Sequence, residues 1–124
     1  MRAVLRNYHQ PPRKVRLVAD LIRGKSVSRA HHELLYLDKK AAPAIRKLLD
    51  SAVANARNSG VSAENLIVKT ISVDKGAVMR RVRPFSRGRS GTLRKTMSII
   101  KLELENAPAI KRPARKKKEN ESKN

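Results

Sequence analysis

Apolar residues recur every third or fourth position through the first half of the chain, and from Leu66 they fall at every second one. The first pattern predicts helices and the second predicts strands. In PPRKVRLVADLIRGK, Val15, Val18, Leu21 and Ile22 share one helical face. Pro12 suits a first helical position and Gly24 sits where a left-handed cap is wanted. A second helix is expected from Ser28, as N-cap, to about Leu37, with Ala30, Leu34 and Leu37 inward. A third is expected from Asp38, as N-cap, through KKAAPAIRKLLDSAVANARN. Its apolar stripe is Ala41, Ala44, Ile45, Leu48, Ala52, Val53 and Ala56. Pro43 lies near its first turn, Gly60 closes it, and Ala52, Ala54 and Ala56 allow a close neighbour.

After residue 65 the period changes. LIVKTISV (66–73) is β-branched and partly alternating, while SIIKLELE (98–105) sets Ile100, Leu102 and Leu104 against Ile99, Lys101 and Glu103. These read as two antiparallel strands covered by the helices on one face, with RAVLRNY (2–8) as a short edge strand. The fold class expected is α+β, with residues 1–105 as one domain. From 106 to 124, NAPAIKRPARKKKENESKN has almost nothing to bury and reads as a disordered basic tail.

Charge changes the picture. The chain of 124 residues has 30 Lys and Arg against 10 Asp and Glu, a formal net charge of +20. Without the tail, 23 basic and 8 acidic side chains remain, so the basicity belongs to the folded part. Such a charge attracts polyanions over long range. With Tyr8, Tyr36 and Phe85 as the only aromatics, no stacking platform for single-stranded bases is expected. Nucleic acid would be gripped by its phosphates and shape.

The most basic stretch is MRRVRPFSRGRSGTLRK (79–95), with Arg80, Arg81, Arg83, Arg87, Arg89, Arg94 and Lys95, inside an acid-free run from 75 to 102. If the flanking strands continue past the sheet, each arm adds about 10 residues and the tip stands about 30 Å out. Ordering some 20 residues costs on the order of 20–40 kcal/mol. Cross-strand pairs return only roughly 0.2–1 kcal/mol each. The arm is therefore expected to be loose when free and ordered on a dense anionic surface such as RNA, where each guanidinium grips phosphate oxygens. Gly88 and Gly91 let the backbone turn and approach. Phe85 either stacks on a base or packs on its own hairpin.

Other chemistry is poorly supported. There is no cysteine, and His31 and His32 point about 100° apart on a helix, so no metal or cofactor is expected. Asp20, Asp38 and Asp50 read as helix caps or partners of nearby Arg and Lys, and SRGRSGT lacks the ending of a nucleotide cradle. No enzyme is expected. An architectural DNA binder with β-arms would need a dimer core, and no large apolar face is left over for one. No apolar run reaches the length of a membrane span and MRAVLRNYHQ lacks a signal-peptide core, so an intracellular, soluble protein is expected.

PRKVRLVADLIRGKSV (12–27), KKAAPAIRKLLDSAVANARN (39–58) and VDKGAVMRRVRPFSRGRSGTLRKTMSII (73–100) together resemble the bacterial type of large-subunit ribosomal protein twenty-two. The resemblance spans nearly all of residues 2–105, with LVADLIRGK and SAVANARN as its most specific patterns. It implies three helices packed on a three-stranded antiparallel sheet, with a long protruding β-hairpin at about 76–97. It further implies a structural constituent of the large ribosomal subunit, located in the cytoplasm within the ribosome. The partners implied are large-subunit (23S-type) rRNA, neighbouring proteins near the exit tunnel, and the nascent polypeptide, with no membrane. The hairpin would run along the tunnel wall, near the site of macrolide antibiotics, and assist subunit assembly.

Carried over by position, the rRNA-binding residues are Arg13, Lys14, Arg16, Arg23 and Lys25 on the first helix and its cap. Asn55 and Asn58, beside Ser51, lie on the third helix. Arg80, Arg81, Arg83, Arg87, Gly88, Arg89, Arg94 and Lys95 lie on the hairpin. The tunnel-lining tip would be Arg83, Pro84, Phe85, Ser86, Arg87 and Gly88. The chain departs from the pattern at Phe85 and Ser86, where the family often has Arg-Ala, and at Ile99, where it has histidine. The tail lies outside the pattern.

Overall fold

A computed structural model describes residues 1–62 and 65–106. The three helices are α1 (Pro12–Ile22), α2 (Val27–Tyr36) and α3 (Ala42–Asn58), and the strands are β1 (Arg2–Tyr8), β2 (Leu66–Pro84) and β3 (Ser90–Asn106). The sheet is antiparallel with order β1-β3-β2. The α+β architecture, with three helices and three strands, is as the sequence implies.

Helix limits differ from expectation in instructive ways. In α1 the inward face is Val15, Val18, Ala19 and Ile22, while Leu21 lies on the rim at 36 % exposure. The small Ala19 lets the helix approach the sheet. The cap of α2 is Ser26, whose hydroxyl accepts from the Arg29 amide at 3.4 Å, so Ser28 lies inside the helix. Ala30 and Leu34 are buried there, and Leu37 is half-buried just beyond the end.

Asp38 does not cap α3, which starts at Ala42. A helix capped at Asp38 would need a fourth-position donor from Pro43 to reach Lys39, and proline has none. Instead residues 37–41 turn, with the Lys39 amide donating to Leu37 O at 2.9 Å and the Ala42 amide to Lys39 O at 2.9 Å. Ala42, Ile45, Leu48, Leu49, Ala52 and Ala56 face inward, Ala44 and Val53 are half-buried, and Ala54 is exposed. At the far end Gly60 takes φ 77°, with bonds from Gly60 N to Arg57 O (2.9 Å) and from Val61 N to Ala56 O (3.1 Å). This double closure needs a residue tolerant of left-handed backbone.

The helices cover one face of the sheet and bury Ala3, Leu66, Val68, Ile71, Val73, Ile100, Leu102 and Leu104. A bulge between Val68 and Thr70 explains why LIVKTISV alternates only in part. One extra residue, Lys69, moves the inward phase from Leu66 and Val68 to Ile71 and Val73. A second bulge, between Lys75 and Val78, marks where β2 leaves the sheet. There a Cβ on Gly76 would stand 3.2 Å from Met97 O, so the crossing is tight. Beneath it Ser98, fully buried, donates its hydroxyl to Gln10 O. Asn106 pairs with Leu66, so the sheet extends one residue past the expected domain limit. The expected tail from 107 onward lies outside the described residues.

Candidate nucleic-acid interface

Beyond the second bulge β2 and β3 continue as a two-stranded ribbon, paired from Val78↔Thr96 to Pro84↔Ser90. Neither edge of this ribbon meets a third strand, because β1 ends at Tyr8 opposite Ser98. Alternation sorts its side chains into two faces. Val78, Arg80, Val82, Thr92, Arg94 and Thr96 share one; Met79, Arg81, Arg83, Leu93 and Lys95 share the other. Both faces are therefore cationic, and Arg80 stands directly opposite Arg94.

At the tip the Arg89 amide donates to Ser86 O at 3.4 Å, and both intervening residues have positive φ, 59° at Arg87 and 69° at Gly88. That is the backbone of a type I′ turn, which matches the twist of a hairpin. Glycine enters this region freely, but an L-residue does so at roughly 1–2 kcal/mol. Arg87 is thus held outward in a conformation few arginines adopt. The second expected role for Phe85 is the one observed. Its ring lies across the hairpin on Gly91, where a Cβ would collide with the ring edge, and Phe85 stays 56 % exposed. Gly91 therefore makes room for Phe85.

The seven arm cations form no ion pair among the described residues, where all salt bridges lie in the globular part. Arg81 makes only local contacts, to Arg80 O at 2.9 Å and to Met79 Sδ at 3.8 Å.

The cations of α1 behave differently. Arg16 donates to Val73 O from Nε (3.2 Å) and Nη2 (3.1 Å). Arg23 Nη2 donates to Ile71 O (3.1 Å) and pairs with Asp20 (3.0 Å). The Gly24 amide reaches Val68 O at 3.0 Å, and Lys25 O accepts from Val68 N at 2.9 Å. Together these groups seal the outer edge of β2, whose carbonyls would otherwise be unpaired. The Lys25 ammonium meets Glu33 at 2.6 Å. That hydrogen bond, helped by Arg29, holds the Glu33 carboxyl below its ordinary 4.5 despite partial desolvation. Asn55 is also occupied, donating to Arg2 O at 3.1 Å and tying α3 to β1. Arg13, Lys14 and Asn58 are exposed.

Asp20 is an arginine partner as expected, whereas Asp50 pairs with His31 Nε2 at 3.6 Å. Among the described residues no three His, Cys, Asp or Glu side chains converge for a metal, and no helix is long and apolar enough to cross a membrane. At the arm's root His9, Pro11, Met79, Arg94, Lys95, Thr96 and Met97 line a cavity of about 360 Å³. Sequence spacing gave no sign of it, since its walls lie more than 80 positions apart and meet only through the sheet register.

The family model described as "Ribosomal protein L22p/L17e" matches residues 3–105, which takes in both the sealed sheet and the bare arm. The chain belongs to this family. It is 51 % identical over 100 residues to the "Large ribosomal subunit protein uL22" of Herpetosiphon aurantiacus, covering 80 % of this chain and 88 % of the relative. Proteins of the same name from Wolbachia sp. subsp. Drosophila simulans and Wolbachia pipientis wMel are each 46 % identical over 93 residues. Those matches cover 75 % of this chain and 81 % of theirs. As an L22p/L17e protein the chain is a structural, non-enzymatic component of the ribosome.

Proposed function

We propose that the chain is a constituent of the large ribosomal subunit, in the cytoplasm, where it binds large-subunit rRNA through phosphate and shape contacts and supports subunit assembly. In this reading the hairpin 76–97 lies along the nascent-peptide exit tunnel beside neighbouring ribosomal proteins. The tip residues Arg83, Pro84, Phe85, Ser86, Arg87 and Gly88 face the passing chain. The observation that carries the reading is the two-faced ribbon of unpaired cations, in a chain whose relatives are named as large-subunit proteins.

A ribbon cationic on both faces suits a crevice between RNA segments better than a flat surface. Each phosphate contact releases counterions, so the grip is salt-sensitive. Arg13, Lys14 and Asn58 are free to add contacts from the globular part. Arg16, Arg23, Lys25 and Asn55 first serve the fold and offer RNA only what their remaining donors allow.

Co-sedimentation of the intact protein with large subunits at rising salt tests the coarse reading, and a protein that stays in the supernatant at low salt overturns it. A photo-crosslinker at Ser86 tests the finer one. It should capture the nascent chain in stalled ribosomes, and capture of rRNA alone would remove the tip from the tunnel.

A further inference from the structure

Between the start of α1 and the α2–α3 connection lies a cavity of about 490 Å³, lined by Gln10, Lys14, Leu17, Lys39, Lys40 and Ala41. Its chemistry is one-sided. Three ammonium groups from two separate parts of the chain surround it, and none forms an ion pair among the described residues. Leu17, 68 % exposed on the outer side of α1, supplies an apolar wall. The nearest acid in the chain, Asp38, is exposed and does not line the cavity.

The frame around the cavity is tied down. Tyr8 donates its hydroxyl to Lys40 O at 3.1 Å, and the Gln10 amide donates to Tyr8 O at 2.8 Å. Gln10 O accepts from the buried Ser98 hydroxyl. Burial pushes the Tyr8 phenol above its ordinary 10.0, so it remains a donor at physiological pH. One demand is left unmet. Gln10 Oε1 is buried with no hydrogen-bond partner among the described residues. A buried acceptor without a donor is costly, and it points to a donor supplied from outside.

The ammonium groups call for an anion, and the amide oxygen calls for a hydroxyl or amine close to that anion. A phosphodiester alone has no proton to give. A ribonucleotide carries both features, since its 2′-hydroxyl sits on the sugar that bears the phosphate. We propose that this cavity is a ribonucleotide site. Lys14, Lys39 and Lys40 hold a backbone phosphate, Leu17 packs on the ribose, and the 2′-hydroxyl donates to Gln10 Oε1. The amide turns toward the ligand about its last torsion, which is soft. The inference rests on the rRNA reading and adds to it a place where RNA is told from DNA.

The test measures binding of the full-length protein to a short single-stranded RNA of mixed sequence and to its 2′-deoxy counterpart at matched salt. RNA should bind roughly 3- to 10-fold tighter, the scale of one net hydrogen bond. Gln10→Leu, close in volume, should erase that preference while leaving DNA affinity and thermal midpoint in place. Lys39→Gln with Lys40→Gln should weaken both probes and lower the salt slope by about 2.

Equal affinity of the unaltered protein for both probes overturns the proposal, as does a preference that survives Gln10→Leu. A polyglutamate peptide that competes as well as RNA would make the cavity a protein-docking site instead. If these changes are silent while the protein still enters large subunits, only this site falls. Failure of the unaltered protein to bind RNA or subunits would remove the rRNA reading with it.

Discussion

Arg16 and Arg23 on α1 stand beside the outer edge of β2 and donate to Val73 O and Ile71 O. Arg80, Arg81, Arg87 and Arg89 stand on or at the tip of the same β2–β3 ribbon and meet no carboxylate among the described residues. One residue type thus serves two ends. Where the strand has a helix alongside, arginine completes the fold; where the strand runs on alone, its donors remain open. The difference lies in the surroundings. Within the globular part β2 has β3 on one side and the α1 groups on the other, whereas the arm has only its own partner strand. Basicity alone therefore does not mark a nucleic-acid contact, and the useful sign is a cation whose donors the fold has not already used.

The largest effect should come from the arm. Replacing Arg80, Arg81, Arg87 and Arg89 with Gln should abolish incorporation into large subunits and lower the salt slope of rRNA binding by about 3 to 4. The thermal midpoint of the free protein should stay nearly unchanged, and a large fall would mean that these side chains serve the fold after all. Next, hydrogen exchange in the RNA-free protein should separate the two regions. Amides at 78–96 should exchange roughly 100-fold or more faster than those of 66–73 and 98–104, since the ribbon has few apolar contacts to hold it. Equal protection would show that the arm holds its shape unaided.

Arg16→Gln tests the opposite pole. Loss of the bonds to Val73 O should cost about 1 kcal/mol and lower the midpoint by about 4–8 °C, with little change in salt slope. A binding defect at unchanged stability would move Arg16 to the interface. The smallest effect belongs to Glu33. Its carboxyl is held below 4.5 in the folded protein, chiefly by Lys25, so its contribution is complete above that pH and is lost as pH falls through the lowered value. Glu33→Gln should flatten that part of the acid unfolding profile, and an unchanged profile would show the ion pair to be idle.

Much of this was legible in the residues. Val15, Val18, Leu34, Ile45 and Ala52 announced their helices, and Ile100, Leu102 and Leu104 announced the central strand. The arm could be read from its lack of acids and its place between two strands. What escaped were features decided by atoms far apart in the chain. Asp38 has the chemistry of a cap, but Pro43 moved the helix start to Ala42. Leu21 fits the helical period, but the packing angle brought Ala19 inward. Arg16 and Arg23 look like any surface cations until the register of β2 places two carbonyls beside them. Phe85 and Gly91 become partners only when the hairpin closes.

The extra residue between Lys75 and Val78 has an effect well beyond its own turn of chain. Such an insertion bends and twists the strand that carries it. The ribbon is a lever about 30 Å long, so a change of about 20° at Gly76 would sweep the tip through about 10 Å. Where the far end arrives is thus decided at its hinge, by a spot with almost no side chain and no charge. Shortening the chain there by one residue would leave every cation of the arm in place and point them at the wrong target.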